Sequence, residues 1–435
     1  MCIRDSIKIG HLRAHPDIDI KLNVEELVRR HTAILAITGA GKGNTVAVLA
    51  TRILELGGSV IIIDPHEEYP ALRELYMNYE PNPVVVFTPG GNPSKGYYPL
   101  YFKWSNFSVE ELFDILEIKE NATRQQALVR EVLQRLEGRN WDIDTFLIEL
   151  DRYVLGDESL SDEERKNYQK EMRKYMDARL AIIDHARGIK GGEIMHSTLE
   201  TPIYGEDEVC LVSRRQITVI SLSGIPQKIQ QVVVGRLCKK LYDAGVAWRR
   251  NIPDVPKLPC PTFLIIEEAH NFIPNNTYAK STWPIQRIAA EGRKFEIGLC
   301  IVSQRPNKVD QNVLSQCNSQ IILKVVNPRD QSQIENSAEN ISSDLLNDLP
   351  SLNVGEAVII GSCISIPALV KIDKFQGKLG GDDIPILKYW KGNDDKNISS
   401  ITINEKSNHT KQYLQEQYLK DTQTYNNSNI ALGDD

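Results

Sequence analysis

Residues 34–44 read ILAITGAGKGN, and the meaning of this stretch decides the fold. An apolar, partly β-branched run breaks into small residues at Thr38, Gly39, Ala40 and Gly41, places Lys42, and opens onto the amphipathic pattern TVAVLATRILEL. A strand, a glycine turn and a helix start in that order make a phosphate cradle. Glycines let consecutive backbone N–H groups converge on one anion at the positive end of a helix, while the lysine reaches the terminal phosphates. Thr38, Gly39, Ala40, Gly41, Lys42, Gly43, Asn44 and Thr45 are therefore the expected nucleotide-binding residues.

Two letters depart from the pattern G-x-x-x-x-G-K-[ST]. Ala36 stands where the first glycine belongs, the smallest replacement available. Gly43 stands where a serine or threonine hydroxyl would meet magnesium, and that is a chemical loss. Thr45 does not make it good, because two residues along a helix turn a side chain by about 200°. Magnesium keeps several waters in its shell, so binding of ATP with Mg²⁺ is expected to survive with weaker metal positioning.

Further apolar strands are expected over 33–37, 60–63, 84–88, 217–222, 263–266 and 297–303, with 321–325 and 357–360 completing the sheet. Helices are expected over 44–56, 227–242 and 283–293. Continuous apolar strands between helices imply a mainly parallel sheet covered on both faces, an α/β fold. Sites in such sheets gather at the C-terminal ends of strands, where Asp64 lies. The strand at 263–266 feeds directly into Glu267 and Glu268. With a phosphate loop in the same chain, this pair reads as the second half of a nucleoside-triphosphatase site. Glu267 would hold the metal and Glu268 would polarise the attacking water. Gln304, at the end of 297–303, is placed to sense the γ-phosphate.

The loop PGGNPSKGYYPLYF at 89–102 combines glycines, a lysine and aromatics, a mixture that can track nucleic acid. Lys95 and Tyr97 there, with Arg287 on the helix at 283–293, are the candidate DNA contacts. Between 108 and 205 the composition turns to charged helical segments, with Ser108 and Asn121 as N-caps and Gly138 as a stop, so an all-helical insertion is expected. Residues 1–31 carry two strand fragments, IKIGHL and DIDIKL, and read as a truncated N-terminal segment. The core is expected over 32–107 and 206–390, and a polar C-terminal extension over 391–435.

The 435 residues are 41% hydrophobic and 25% charged, which suits a soluble chain of two or three domains. Seven cysteines lie scattered without a C-x-x-C pair, so neither a zinc site nor a disulfide framework is indicated and a reducing cytoplasm fits. No apolar run approaches the roughly 20 residues that span a bilayer. A net charge of −7 excludes a protein coated in basic residues. Contact with DNA would have to come from a local surface such as a pore lining.

Taken together, RRHTAILAITGAGKGNT, VIIIDPHEEY, FLIIEEAHNFIP and EGRKFEIGLCIVSQRP, with the spacing between them, resemble the HerA family of the FtsK–HerA translocases over residues 7–375. The resemblance implies a RecA-like P-loop core with a helical insertion. It also implies a hexamer around double-stranded DNA, ATP-driven translocation in DNA-end processing and repair, and a NurA-type nuclease as partner. Carried over by position, it implies that Lys42 binds the β- and γ-phosphates, Glu267 the magnesium side, Glu268 acts as base and Gln304 as sensor. Arg293, in EGRKF, resembles an arginine finger given to a neighbouring subunit. Three features depart from the family: Gly43, the glycine replaced by Glu67, and the small β-barrel that residues 1–31 are too short to form. Two other readings stand beside this one. Gly43 motivates a weakly hydrolysing nucleotide-binding scaffold of a repair or defence complex; a kinase-like P-loop enzyme is disfavoured by the distance from Lys42 to Glu267 and by SQRP.

Overall fold

The computed structural model describes residues 5–187, 194–204, 209–338 and 341–380, so the polar extension expected over 391–435 lies outside the described residues. Strands run in chain order as β1 (Ser6–Leu12), β2 (His15–Asn23), β3 (Thr32–Leu35), β4 (Ser59–Asp64), β5 (Val84–Thr88), β6 (Tyr98–Pro99), β7 (Phe102–Lys103) and β8 (Met195–His196). They continue as β9 (Gln216–Ser221), β10 (Thr262–Ile266), β11 (Ile297–Ser303), β12 (Ser319–Ile322), β13 (Glu356–Gly361) and β14 (Ala368–Ile372). Twelve of them form one sheet in the order β2-β1-β14-β13-β12-β3-β11-β10-β4-β9-β5-β6. From β12 to β6 every neighbouring pair is parallel.

Alternation along the central strands explains why they are apolar at every position. Ala33, Leu35, Ile61 and Ile63 face one buried layer, while Ile34, Val60 and Ile62 face the other. Helix α2 (Lys42–Glu55), the second in the chain after α1 (Val24–Arg29), buries Val46, Leu49, Ala50 and Ile53 in the second layer. A short α3 (Leu72–Leu75) follows β4.

The strands expected at 321–325 and 357–360 do not complete the sheet. β14 pairs antiparallel with β13, β1 with β14, and β2 with β1, so both N-terminal strands extend the same sheet beyond them. Their polar outer faces hid this role: β2 is exposed over its first five residues and buries only Leu22 fully.

Helices α4 (Val109–Ile115), α5 (Thr123–Arg135), α6 (Ile143–Leu155), α7 (Asp162–Met172) and α8 (Met176–Arg187) form the insertion. Ser108 and Glu111 make a reciprocal capping box on α4, as the sequence suggests. Asn121 is not the cap of α5; Ala122 occupies that position without a side-chain bond. The insertion is not wholly helical either, since β8 lies within it and pairs with β7. Trp104, Trp141 and Phe146 stack in series, 5.7 and 5.8 Å between successive rings, and join the insertion to the first layer. α9 (Gln227–Arg249) runs past the expected end at Tyr242, because Ala244 and Ala247 continue its buried face. α10 (Thr282–Glu291) then leads back to the start of β11. Among the described residues no helix is long and apolar enough to cross a membrane.

Candidate functional site

Four parallel neighbours, β3, β11, β10 and β4, end side by side, and each delivers one part of the site. The turn after β3 is the glycine loop. Gly39 has φ 78° and Gly41 φ 102°, both in the left-handed region. A side chain at Gly41 would also strike Gly355, whose N–H donates to the Ala40 carbonyl at 2.9 Å. The loop is thus pinned from below by the turn before β13, and α2 begins at Lys42.

Lys42 reaches across the sheet to the end of β10. Its Nζ donates to Glu267 Oε2 at 2.9 Å and to Glu268 Oε1 at 2.5 Å. Both carboxylates are 2–3% exposed. Burial alone would drive the proton off Lys42, but the two carboxylates outweigh it and hold the ammonium above its usual range. Glu268 sits in the left-handed region, φ 48° and ψ 44°, a strained choice for a side chain with a Cβ. Its Oε2 is buried without a hydrogen-bond partner among the described residues, 3.3 Å from His270 Nδ1. Burial lowers the His270 pKa, against the pull of the neighbouring Glu268.

From β11, Gln304 accepts a hydrogen bond from the Thr38 hydroxyl on its Oε1, which ties the strand-end amide to the phosphate loop. From β4, Asp64 accepts the N–H groups of His66 (3.1 Å) and Tyr69 (2.9 Å), folding PHEEY into a turn over the site. Glu67 in that turn has φ 61°, the conformation in which a glycine is the easier residue. Burial raises the Asp64 pKa to about 6. Burial, together with Glu267, raises that of Glu68 to about 7. Tyr69 is fully buried and donates its hydroxyl to Glu267 Oε1.

The side chains of two expected nucleotide-binding residues have partners away from the loop mouth. The Thr45 hydroxyl bonds back to the Gly41 carbonyl at 3.0 Å and is buried, so its side chain is turned away from the loop mouth. The Asn44 amide clamps the chain after β14, donating to Asp373 O (2.9 Å) and accepting from Phe375 N–H (2.8 Å). Arg293 is exposed and lies just before β11, at the end of that strand opposite Gln304. Seven residues of strand separate the two, roughly 20 Å at 3.3 Å per residue. It is therefore not brought to its own chain's site. Lys95 is exposed over the Tyr97 ring at 5.7 Å, in the loop between β5 and β6. Arg287 stacks on Tyr242 (4.3 Å) and Trp283 (5.2 Å), so its guanidinium is partly engaged in joining α9 to α10.

Tyr69, Glu68 and the Thr38–Gln304 link were not read from the sequence. PHEEY after Asp64 was a visible signal, but nothing linear joins it to the phosphate loop. A divalent cation fits the donor set. The unsatisfied Oε2 of Glu268 and the buried Glu267 are hard oxygen donors, and Lys42 already supplies positive charge between them. Among the described residues no group of three or more His, Cys, Asp or Glu side chains could hold a metal by itself. Phosphate oxygens and water would have to complete the shell of such an ion, as they do for magnesium with nucleotides.

Residues 7–241 match the family model described as the central domain of the helicase HerA. The DNA double-strand break repair helicase HerA of Saccharolobus solfataricus is 35% identical over 400 residues, covering 88% of this chain and 72% of that protein. Among solved structures, VirB4 of Thermoanaerobacter pseudethanolicus superposes with a TM-score of 0.57 at 16% identity, covering 86% of this chain and 97% of that one. The plasmid coupling protein TrwB, solved with a non-hydrolysable ATP analogue, superposes with a TM-score of 0.50 at 14% identity, covering 86% and 91%. The last two likenesses concern the fold.

Proposed function

This chain belongs to the HerA helicase family, and we propose that it is an ATP-driven translocase of double-stranded DNA that works as a homo-hexamer in DNA-end processing and repair. One observation carries the reading: Lys42 of the phosphate loop meets Glu267 and Glu268, which lie 225 and 226 positions away in the chain, within hydrogen-bond distance. That is the juxtaposition a triphosphate site requires.

In this reading the loop N–H groups and Lys42 bind the β- and γ-phosphates. Glu268 accepts a proton from water as its oxygen attacks the γ-phosphorus and the bond to the β–γ bridging oxygen breaks, releasing ADP and phosphate. Gln304, steadied by Thr38, orients that water. Glu267 would hold Mg²⁺, whose charge would offset that on the phosphate oxygens. Arg293 acts on the neighbouring subunit's nucleotide, which accords with its exposure and its distance from the site of its own chain. Lys95, Tyr97 and Arg287 remain the proposed DNA contacts, a NurA-type nuclease the proposed partner and the cytoplasm the proposed compartment.

The test is DNA-stimulated ATPase activity of wild type and Glu268→Gln. Turnover should fall at least ~100-fold with binding of an ATP analogue retained. Equal, non-zero turnover in both proteins would dismiss Glu268 as the base. Gly43 favours one second reading, a scaffold that binds nucleotide and hydrolyses it weakly; brisk wild-type turnover removes it.

A further inference from the structure

Gly43 lies in the first turn of α2, directly beneath the turn that follows β4. A Cβ built at this position would stand 3.1 Å from Glu68 Oε2, 3.6 Å from Tyr69 Oη and 3.5 Å from Leu379 Cδ1. The space that a serine or threonine side chain would claim is therefore roofed by a carboxylate. We propose that Glu68 supplies the metal-facing oxygen that the phosphate loop lacks, and that glycine at 43 is what admits it. The hydroxyl ligand has been exchanged for a carboxyl group, delivered from the neighbouring loop instead of from the helix. This rests on the reading of the site as one for nucleotide and magnesium.

Three features hold Glu68 there. Asp64 gathers the N–H groups of His66 and Tyr69, which closes the turn on the end of β4. The Gly380 N–H donates to the Glu68 carbonyl at 2.8 Å, and a side chain at Gly380 would meet the Glu67 carbonyl at 2.4 Å, so the chain after β14 lies flush on the turn. Tyr69, next in sequence, hydrogen-bonds Glu267 and fixes how far the turn reaches toward β10. The Glu68 side chain is half-buried, and among the described residues no hydrogen bond or ion pair engages its carboxylate. Its oxygens are free to accept a cation, and a carboxylate is a stronger magnesium donor than a neutral hydroxyl.

The consequence is a nucleotide affinity whose dependence on metal runs through residue 68. Binding of a non-hydrolysable ATP analogue to the full chain is titrated in Mg²⁺ and again in EDTA, and the ratio of the two Kd values is the readout. Glu68→Gln, nearly isosteric, should cut that ratio about tenfold or more while leaving the EDTA value in place. Gly43→Ser combined with Glu68→Ala restores the usual ligand and should recover the ratio, which a merely structural role for Glu68 would not allow. A ratio indifferent to Glu68→Gln overturns the proposal, and so does a double variant that recovers nothing. Wild type that fails to bind the analogue in either condition removes the site reading itself, a different result from metal-enhanced binding that ignores Glu68.

Discussion

His31 stands at the entrance to β3 with φ 56° and 3% exposure. Its Nδ1 accepts the Leu299 N–H at 2.9 Å, and its other nitrogen serves the Ala289 carbonyl, so one neutral ring joins β3, β11 and α10. Burial lowers its pKa from 6.5 to about 4. A depressed histidine pKa means that the unfolded chain binds the extra proton more readily. The stabilisation is complete above pH 6.5 and is lost as pH falls toward 4, on the order of 3 kcal/mol. Urea midpoints at pH 7 and pH 4.5 should differ more for wild type than for His31→Asn, which keeps a residue tolerant of positive φ. Parallel loss in the two proteins would show that other groups control the acid limb. At this scale the sequence revealed the chemistry but not every side chain's partner. Lys42 was named from the glycine loop and Glu267, Glu268 and Gln304 from their places at strand ends; helix periodicity already turned the Thr45 side chain away from the metal, whereas nothing linear showed that Asn44 clamps the chain after β14.

Between elements, close approach sets the tolerances. A Cβ at Gly298, the second residue of β11, would sit 2.3 Å from the Val28 carbonyl and 2.7 Å from Val28 Cγ1, so α1 lies directly on the strand that leads to Gln304. Gly298→Ala should force α1 outward and cost about 1–3 kcal/mol, seen as a lower Tm. An unchanged Tm would mean that α1 moves freely and does not brace β11. The strands 84–88 and 297–303 were legible to the residue, since a strand buried on both faces is apolar throughout and bounded by turns. β1 and β2 were seen as strands but not as members of the sheet. Pairing partners more than three hundred residues away, such as Ile372 for Gly10, leave no local trace.

For the whole molecule, β11 carries Gln304 at one end and leads from Arg293 at the other, so one subunit cannot bring both to the same phosphate. A ring with its sites between subunits would. Lys42→Ala and Arg293→Ala should each lose ATPase activity by about a thousandfold, and Arg293→Ala should still bind nucleotide. Mixing the two inactive proteins should recover a clear fraction of turnover, because a site can then take its lysine from one chain and its arginine from the other. No recovery, with mixed assemblies present by mass measurement, would rule out Arg293 acting in trans.

The sequence by itself determined the α/β class, the phosphate loop and the identity of its acidic partners, because strand burial, glycine turns and strand-end carboxylates are local patterns that survive in one dimension. Only the tertiary structure decided that PHEEY roofs Gly43, that Tyr69 braces Glu267, and that the Asn44 amide clamps the chain after β14. Those relations depend on which strands lie side by side in the sheet and on how the chain after β14 covers it, and a contact between distant segments is specified by packing rather than by any spacing along the chain.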